Sequence, residues 1–271
     1  MSLQKTYTVS AILNRIQNSW LIGILIIVPL LLGTLYGVMY DAILDIGMPT
    51  LSSTGLIKSG LVEVVLIENL LSSTAKMQLS VFTGMTFFLV SGFAAIFVKN
   101  RKSNMTHRLI AMGYEDKHVF IGEGLSYLLS SIAVASGFNA LFMVINNISM
   151  QLDPLLWLQL FAIVLVQALF ATAYALLALG LFKEEKAFSY YHFLPAFVIS
   201  FLGGAFFPVD QVSSSGLYQW MPNYQLNQLY FDFYTLKTIE STASLLPLIL
   251  FAVIFSAIGY NCFSLKERKS C

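Results

Sequence analysis

The sequence predicts an all-α polytopic membrane protein with six transmembrane helices, and three observations support this. Of 271 residues, 57% are hydrophobic and 11% are charged, with a mean hydropathy of +0.76. A water-soluble domain carries about 25% charged residues, so this chain lacks the groups that keep a surface wet. Six apolar stretches reach the roughly 20 residues needed to cross about 30 Å of hydrocarbon. Finally, Lys and Arg collect in alternate connections, the pattern that marks cytoplasmic loops. The chain reads as one transmembrane domain over residues 1–271, with spans at about 20–40, 78–98, 119–145, 155–182, 190–208 and 245–264.

Ahead of the first span, Val9, Ile12, Leu13, Ile16 and Trp20 recur at helical spacing, with Asn14, Arg15, Gln17 and Asn18 between them. This predicts an amphipathic helix at the membrane interface, Trp20 sitting at headgroup level. The first span is too long for a secretory h-region and lacks a cleavage pattern, so it reads as a retained helix. Residues 56–71 are rich in Leu, Val and Ile but hold Lys58, Glu63 and Glu68, which predicts a helix lying on the outer surface.

After the second span comes a polar bridge, Lys99 to His118, holding Lys99, Arg101, Lys102, Arg108 and Lys117. Within it Met105, Leu109 and Met112 fall at i, i+4 and i+7, with Ser103 and Asn104 as caps and Gly113 as a stop, predicting a helix over 104–112. A stripe this short is not stable alone in water, so it lies on headgroups or docks on a partner protein. Its apolar residues read as partner-facing.

The third and fourth spans exceed the needed length, which implies tilt or extension beyond the bilayer. Glu123 lies inside or at the edge of the third span, and an intramembrane carboxylate is a functional suspect by default. It reads as a coupling or vestibule residue, or as a structural partner of Lys99, Arg101 or Lys117. Thr83, Thr86, Ser91, Asn139, Gln159, Gln167, Tyr174 and His192 are polar positions in spans that either line a path or satisfy neighbouring helices. Gly33 and Gly37, Ala168 and Thr172, and Ala171 and Ala175 form small-residue pairs suited to close helix packing within the subunit.

Gly203 and Gly204 weaken the end of the fifth span, and Phe207-Pro208 breaks it. Beyond the break, 209–244 is too charged to span yet holds Trp220, Tyr230, Phe233 and Tyr234. Short external helices on or dipping into the outer leaflet are expected there. Pro29 and Pro195 are expected to kink spans one and five.

Twelve of the fifteen basic residues fall in the N-terminal tail, the second and fourth loops and the C-terminal tail; only Lys58, Lys76 and Lys237 fall elsewhere. Both termini are thus placed in the cytoplasm. A reducing compartment argues against a disulfide between Cys262 and Cys271. His107, His118 and His192 lack metal-ligand spacing. The net charge of +1 gives no basic face for nucleic acid. No Gly-Lys dipeptide occurs, so the chain has no phosphate loop of its own.

Three segments together resemble the permease subunits of type-2 ATP-binding-cassette (ABC) transporters: the basic bridge through Arg108, Gly113 and Ile121-Gly122-Glu123; the run Gly203-Gly204-Ala205-Phe206-Phe207-Pro208 with Trp220-Met221-Pro222 beyond it; and the amphipathic N-terminal helix. The resemblance implies that the bridge helix is a coupling helix seated on a separate ABC ATPase, with Met105, Arg108, Leu109, Met112 and Gly113 at the contact. It also implies ATP and Mg on that ATPase, no cofactor or catalytic residue on this chain, and a second permease copy or a similar permease as dimer partner. The expected function is export of an amphipathic substrate, such as an antimicrobial peptide, drug or lipid-like molecule, across a plasma membrane of the bacterial inner-membrane kind. The alternative is an ion-gradient-driven transporter or a non-transporting anchor, which the lack of an internal repeat and of a midplane charge disfavours.

Overall fold

The structure, a computed structural model, describes residues 73–100, 106–148, 154–191, 193–204, 217–236 and 245–263, together with Leu31 and Leu35. Those two leucines are helical and exposed, at positions within the predicted first span. The rest of that span, the amphipathic helix before it and the predicted surface helix over 56–71 lie outside the described residues.

Every described element is helical. The order is α1 (Ser73–Asn100), α2 (Thr106–Ala111), α3 (Asp116–Ile145), α4 (Pro154–Leu181), α5 (Glu185–Tyr191), α6 (Phe193–Leu202), a 3-10 turn (Leu217–Trp220), α7 (Pro222–Leu236) and α8 (Leu245–Cys262). Four of these, α1, α3, α4 and α8, are long and apolar enough to cross a membrane, so the protein is a multi-pass membrane protein. They match the predicted second, third, fourth and sixth spans to within a few residues.

The core sits on α1 and α4. Two-thirds of their apolar windows are buried, against 11% for α8, whose Ile249, Leu250, Val253 and Ile254 point outward. Such an outward apolar face is what hydrocarbon solvates without cost. One end of the bundle gathers the end of α1, the start of α3 and the end of α8, where the Phe97 and Phe120 rings meet Phe263. The basic bridge and α2 join α1 to α3 at this end. The opposite, distal end is fixed by Asn146, whose Nδ2 donates to Gln78 Oε1 at 3.1 Å.

Helix stops follow local chemistry. The α2 segment ends at Gly113 with φ +80°, where Tyr114 N donates to Leu109 O and Gly113 N to Ile110 O, both at 3.0 Å. That double bond is the Schellman ending predicted by the glycine. Asn147, at φ +52°, closes α3 the same way, with Ile148 N donating to Met143 O at 2.9 Å.

The fifth span departs from expectation. The helix predicted over 190–208 stops early: α6 ends at Leu202, and position 192, between α5 and α6, lies outside the described residues. Ser200 Oγ donates to Gly84 O at 3.5 Å, which places the end of α6 beside the twelfth of the 28 residues of α1. The helix thus breaks about halfway along the bundle. Phe207 and Pro208 lie outside the described residues.

The aromatic segment that follows is more deeply seated than surface helices would be. Leu226, Leu229, Tyr230 and Phe233 of α7 are all buried, and the helix packs on α1, α4, α6 and α8.

Candidate functional site

A chain of hydrogen bonds crosses the middle of the bundle. Thr86 on α1 and Gln167 on α4 are each the fourteenth residue of a 28-residue helix. Gln167 Nε2 donates to Thr86 Oγ1 at 2.9 Å, and Thr86 Oγ1 donates back to Phe82 O at 2.9 Å. Tyr230 of α7 donates its hydroxyl to Gln167 Oε1. Asn139 of α3 donates Nδ2 to Tyr230 OH at 3.1 Å and to Ala135 O at 2.8 Å, while Tyr234 OH donates to Asn139 Oδ1 at 2.9 Å. Four helices therefore share one polar relay, buried where no water is available to replace a lost partner. This arrangement holds α7 in the bundle without any charge. Several polar positions singled out in the sequence thus satisfy neighbouring helices: Thr86, Asn139 and Gln167 across elements, Thr83 and Ser91 on their own helix. Tyr230 and Tyr234 carried no polar signal in the sequence, since aromatics near a membrane surface read first as a belt.

At the broken end of α6 a second polar joint forms. Gly204, at φ +82°, ends the helix in the left-handed region, which glycine enters at no steric cost. The Gly203 carbonyl, freed by the break, accepts Asn227 Nδ2 at 3.2 Å. A Cβ on Gly203 would stand 2.6 Å from Asn223 Cβ, so only glycine admits α7 this closely. Asn223 is fully buried with neither amide atom hydrogen-bonded among the described residues, and Asn227 Oδ1 is equally without a donor. Leaving such groups unpaired costs roughly 1–3 kcal/mol each. The Gly203-Gly204 break was legible; the asparagines that receive it were not, because their partner lies in another element.

The described part of the basic-bridge helix, Thr106–Ala111, is turned differently from the expectation. Leu109 is 4% exposed and belongs to the chain's own core, with Tyr114 packed on the same cluster. Met112 is 57% exposed and Ile110 37%, and Arg108 is exposed as well. Leu109 and Met112 therefore do not make one partner-facing stripe: Leu109 anchors α2, and Arg108, Ile110 and Met112 remain outside. Burial of Leu109 is the physical reason, since a short helix holds no shape without a core contact. Met105 lies outside the described residues. Just beyond, Lys117 Nζ lies 2.8 Å from Glu115 Oε2 and holds that exposed carboxyl below its usual range. Glu123 is 2% exposed and lies within α3, seven residues after its first residue Asp116.

Among the described residues no cluster of His, Cys, Asp or Glu is arranged to hold a metal. Cys262 is free and exposed. A family model for the ABC-2 type transporter matches residues 4–231, most of the chain. No curated protein matches it.

Proposed function

The chain belongs to the ABC-2 type transporter family, as an ABC transporter permease, and on that premise we propose that it is the membrane-spanning half of an ATP-driven exporter for an amphipathic substrate. The family match carries the reading; the exposed side of α2 supports its coupling part. Arg108, Ile110 and Met112 offer a small basic and apolar surface at the bundle end that the positive-inside pattern assigns to the cytoplasm. There a separate ATPase supplies the nucleotide chemistry, with ATP and Mg bound on that subunit. Closure of the ATPase pair pushes on α2, and Leu109 passes the motion into the core. Two permeases, either copies of this chain or similar ones, enclose the path in a plasma membrane of the bacterial inner-membrane kind. The interrupted fifth span and the inserted α7 serve as the outward gate, held closed by an uncharged relay that opens without moving a charge through hydrocarbon.

Arg108→Glu and Met112→Asp test this in the complex with the partner ATPase. Both positions are exposed, so the variants fold, whereas a Leu109 substitution would confuse coupling with stability. The expected result is unchanged thermal stability of the permease with at least about a tenfold loss of transport per ATP hydrolysed, the equivalent of about 1.4 kcal/mol of coupling. Wild-type coupling and undiminished co-purification in both variants would sink the assignment.

A further inference from the structure

Between the distal halves of α3 and α4 lies a cavity of about 690 Å³. That volume falls within the roughly 300–1,000 Å³ typical of small-molecule sites. Its walls are apolar, with Met143 from α3 and Trp157 and Phe161 from α4, and no charged residue lines it. Its polar groups come from the α3 side: Ser136 and Asn139 toward the bundle's middle, and Asn147 in the turn just beyond the helix. Ser136 precedes the last residue of α3 by nine positions, about 13 Å at 1.5 Å per residue, so its hydroxyl stands deep in hydrocarbon.

A hydroxyl at that depth needs a partner. Thr83, Thr86, Ser130 and Ser131 each donate to a carbonyl of their own helix at 2.7–2.9 Å. Ser136 has no hydrogen bond among the described residues. Asn139, beside it, is 5% exposed. Both of its amide hydrogens are engaged, but Oδ1 takes a single donor, Tyr234, and keeps a second lone pair.

We propose that this cavity binds an uncharged lipophile bearing one hydroxyl. The ligand's hydroxyl accepts from Ser136 Oγ and donates to Asn139 Oδ1, while its hydrocarbon lies against Trp157 and Phe161. An ionised ligand is excluded, because no lining charge offsets the loss of its hydration. Simple acyl-chain filling leaves Ser136 unsatisfied, so it does not account for the polar end. Since Asn139 also bonds Tyr230 and Tyr234, the ligand shares Oδ1 with Tyr234, each donor weakening the other, and occupancy is felt by α7. This site goes beyond the proposed function: it lies on the α3–α4 face, and its occupant need not be the cargo.

Trp157 reports on the cavity directly. In Trp20→Phe/Trp220→Phe protein in phosphatidylcholine nanodiscs, decanol carrying a terminal bromine should quench Trp157 saturably and be displaced by plain decanol. Ser136→Ala should weaken binding roughly three- to tenfold, the loss of one hydrogen bond, and Ala140→Phe should remove saturation by filling the cavity. Ala140 is exposed, so that variant folds. Tyr234→Phe, which frees Asn139 Oδ1, should tighten binding by a similar factor; no change there would overturn the link to α7. Quenching that never saturates, matches that of bromodecane lacking the hydroxyl and ignores Ser136→Ala would mean bulk partition into lipid, and no site.

Discussion

Two residues of α7 show how a buried polar side chain stabilises or destabilises depending on its partners. Tyr230 is bonded on both sides, to Gln167 and Asn139, whereas Asn223, seven residues earlier, has neither amide atom paired among the described residues. Tyr230→Phe keeps the ring and its packing but strips Gln167 Oε1 of its donor. An interhelical bond in a membrane is worth about 0.6 kcal/mol on average, and an orphaned acceptor raises the loss towards 2 kcal/mol. Asn223→Leu removes an unpaired amide of nearly the same size and should raise stability by roughly 1–3 kcal/mol. Thermal unfolding of the two variants in detergent therefore moves in opposite directions; a stability loss in Asn223→Leu would show that its amide is satisfied in the folded protein. Sequence pattern flags Thr86, Asn139 and Gln167 as polar groups inside spans. It does not reveal their bonding, because Tyr230 arrives from more than 60 residues beyond Gln167 and no local period encodes that meeting.

Among the elements, the tightest contact joins α4 and α8, and it is made by backbone. A Cβ on Gly180 would lie 2.8 Å from Gly259 Cα, and a Cβ on Gly259 would lie 2.5 Å from Leu176 O. Both obstacles are main chain, so no rotamer change relieves them, and either Gly→Ala substitution must push two spans apart. The expected cost is of the overpacking kind, about 1–3 kcal/mol or more. Gly92 in α1 is the control: nothing lies within 4 Å of its added Cβ, so Gly92→Ala should gain about 0.4–1 kcal/mol from reduced freedom of the unfolded chain. Equal effects at all three positions would contradict the close crossing. Small-residue spacing does find the buried stripe of α4, where Ala168, Ala171, Thr172 and Ala175 are all inside. It misses Gly180 and Gly259, since one glycine per helix forms no spaced pair. The α2 stop at Gly113 was legible because a turn's chemistry is local. The facing of Leu109 was not, because it depends on what stands opposite.

On the scale of the whole molecule, span positions are the most legible property, since a bilayer imposes length and apolarity on every crossing helix. The fifth span is the exception, and its reason is physical: α6 ends inside the bundle because α7 supplies the Asn227 donor that its broken end requires. The apolar run over α6 does not announce this early stop, yet the connections on either side still alternate in charge. Lys183, between α4 and α5, and Gln219, in the turn before α7, are both exposed and should therefore face opposite compartments. In a Cys262→Ser/Cys271→Ser background, Gln219→Cys should react with a membrane-impermeant maleimide in intact cells, and Lys183→Cys only after permeabilisation. Reversal of the two would invert the orientation and remove α2 from reach of a cytoplasmic ATPase. Labelling of both from outside would mean that α5, α6 and the residues up to Gln219 return to the side they left. The coupling surface and the outward gate would then share one face of the membrane, and the exporter reading would fall with them.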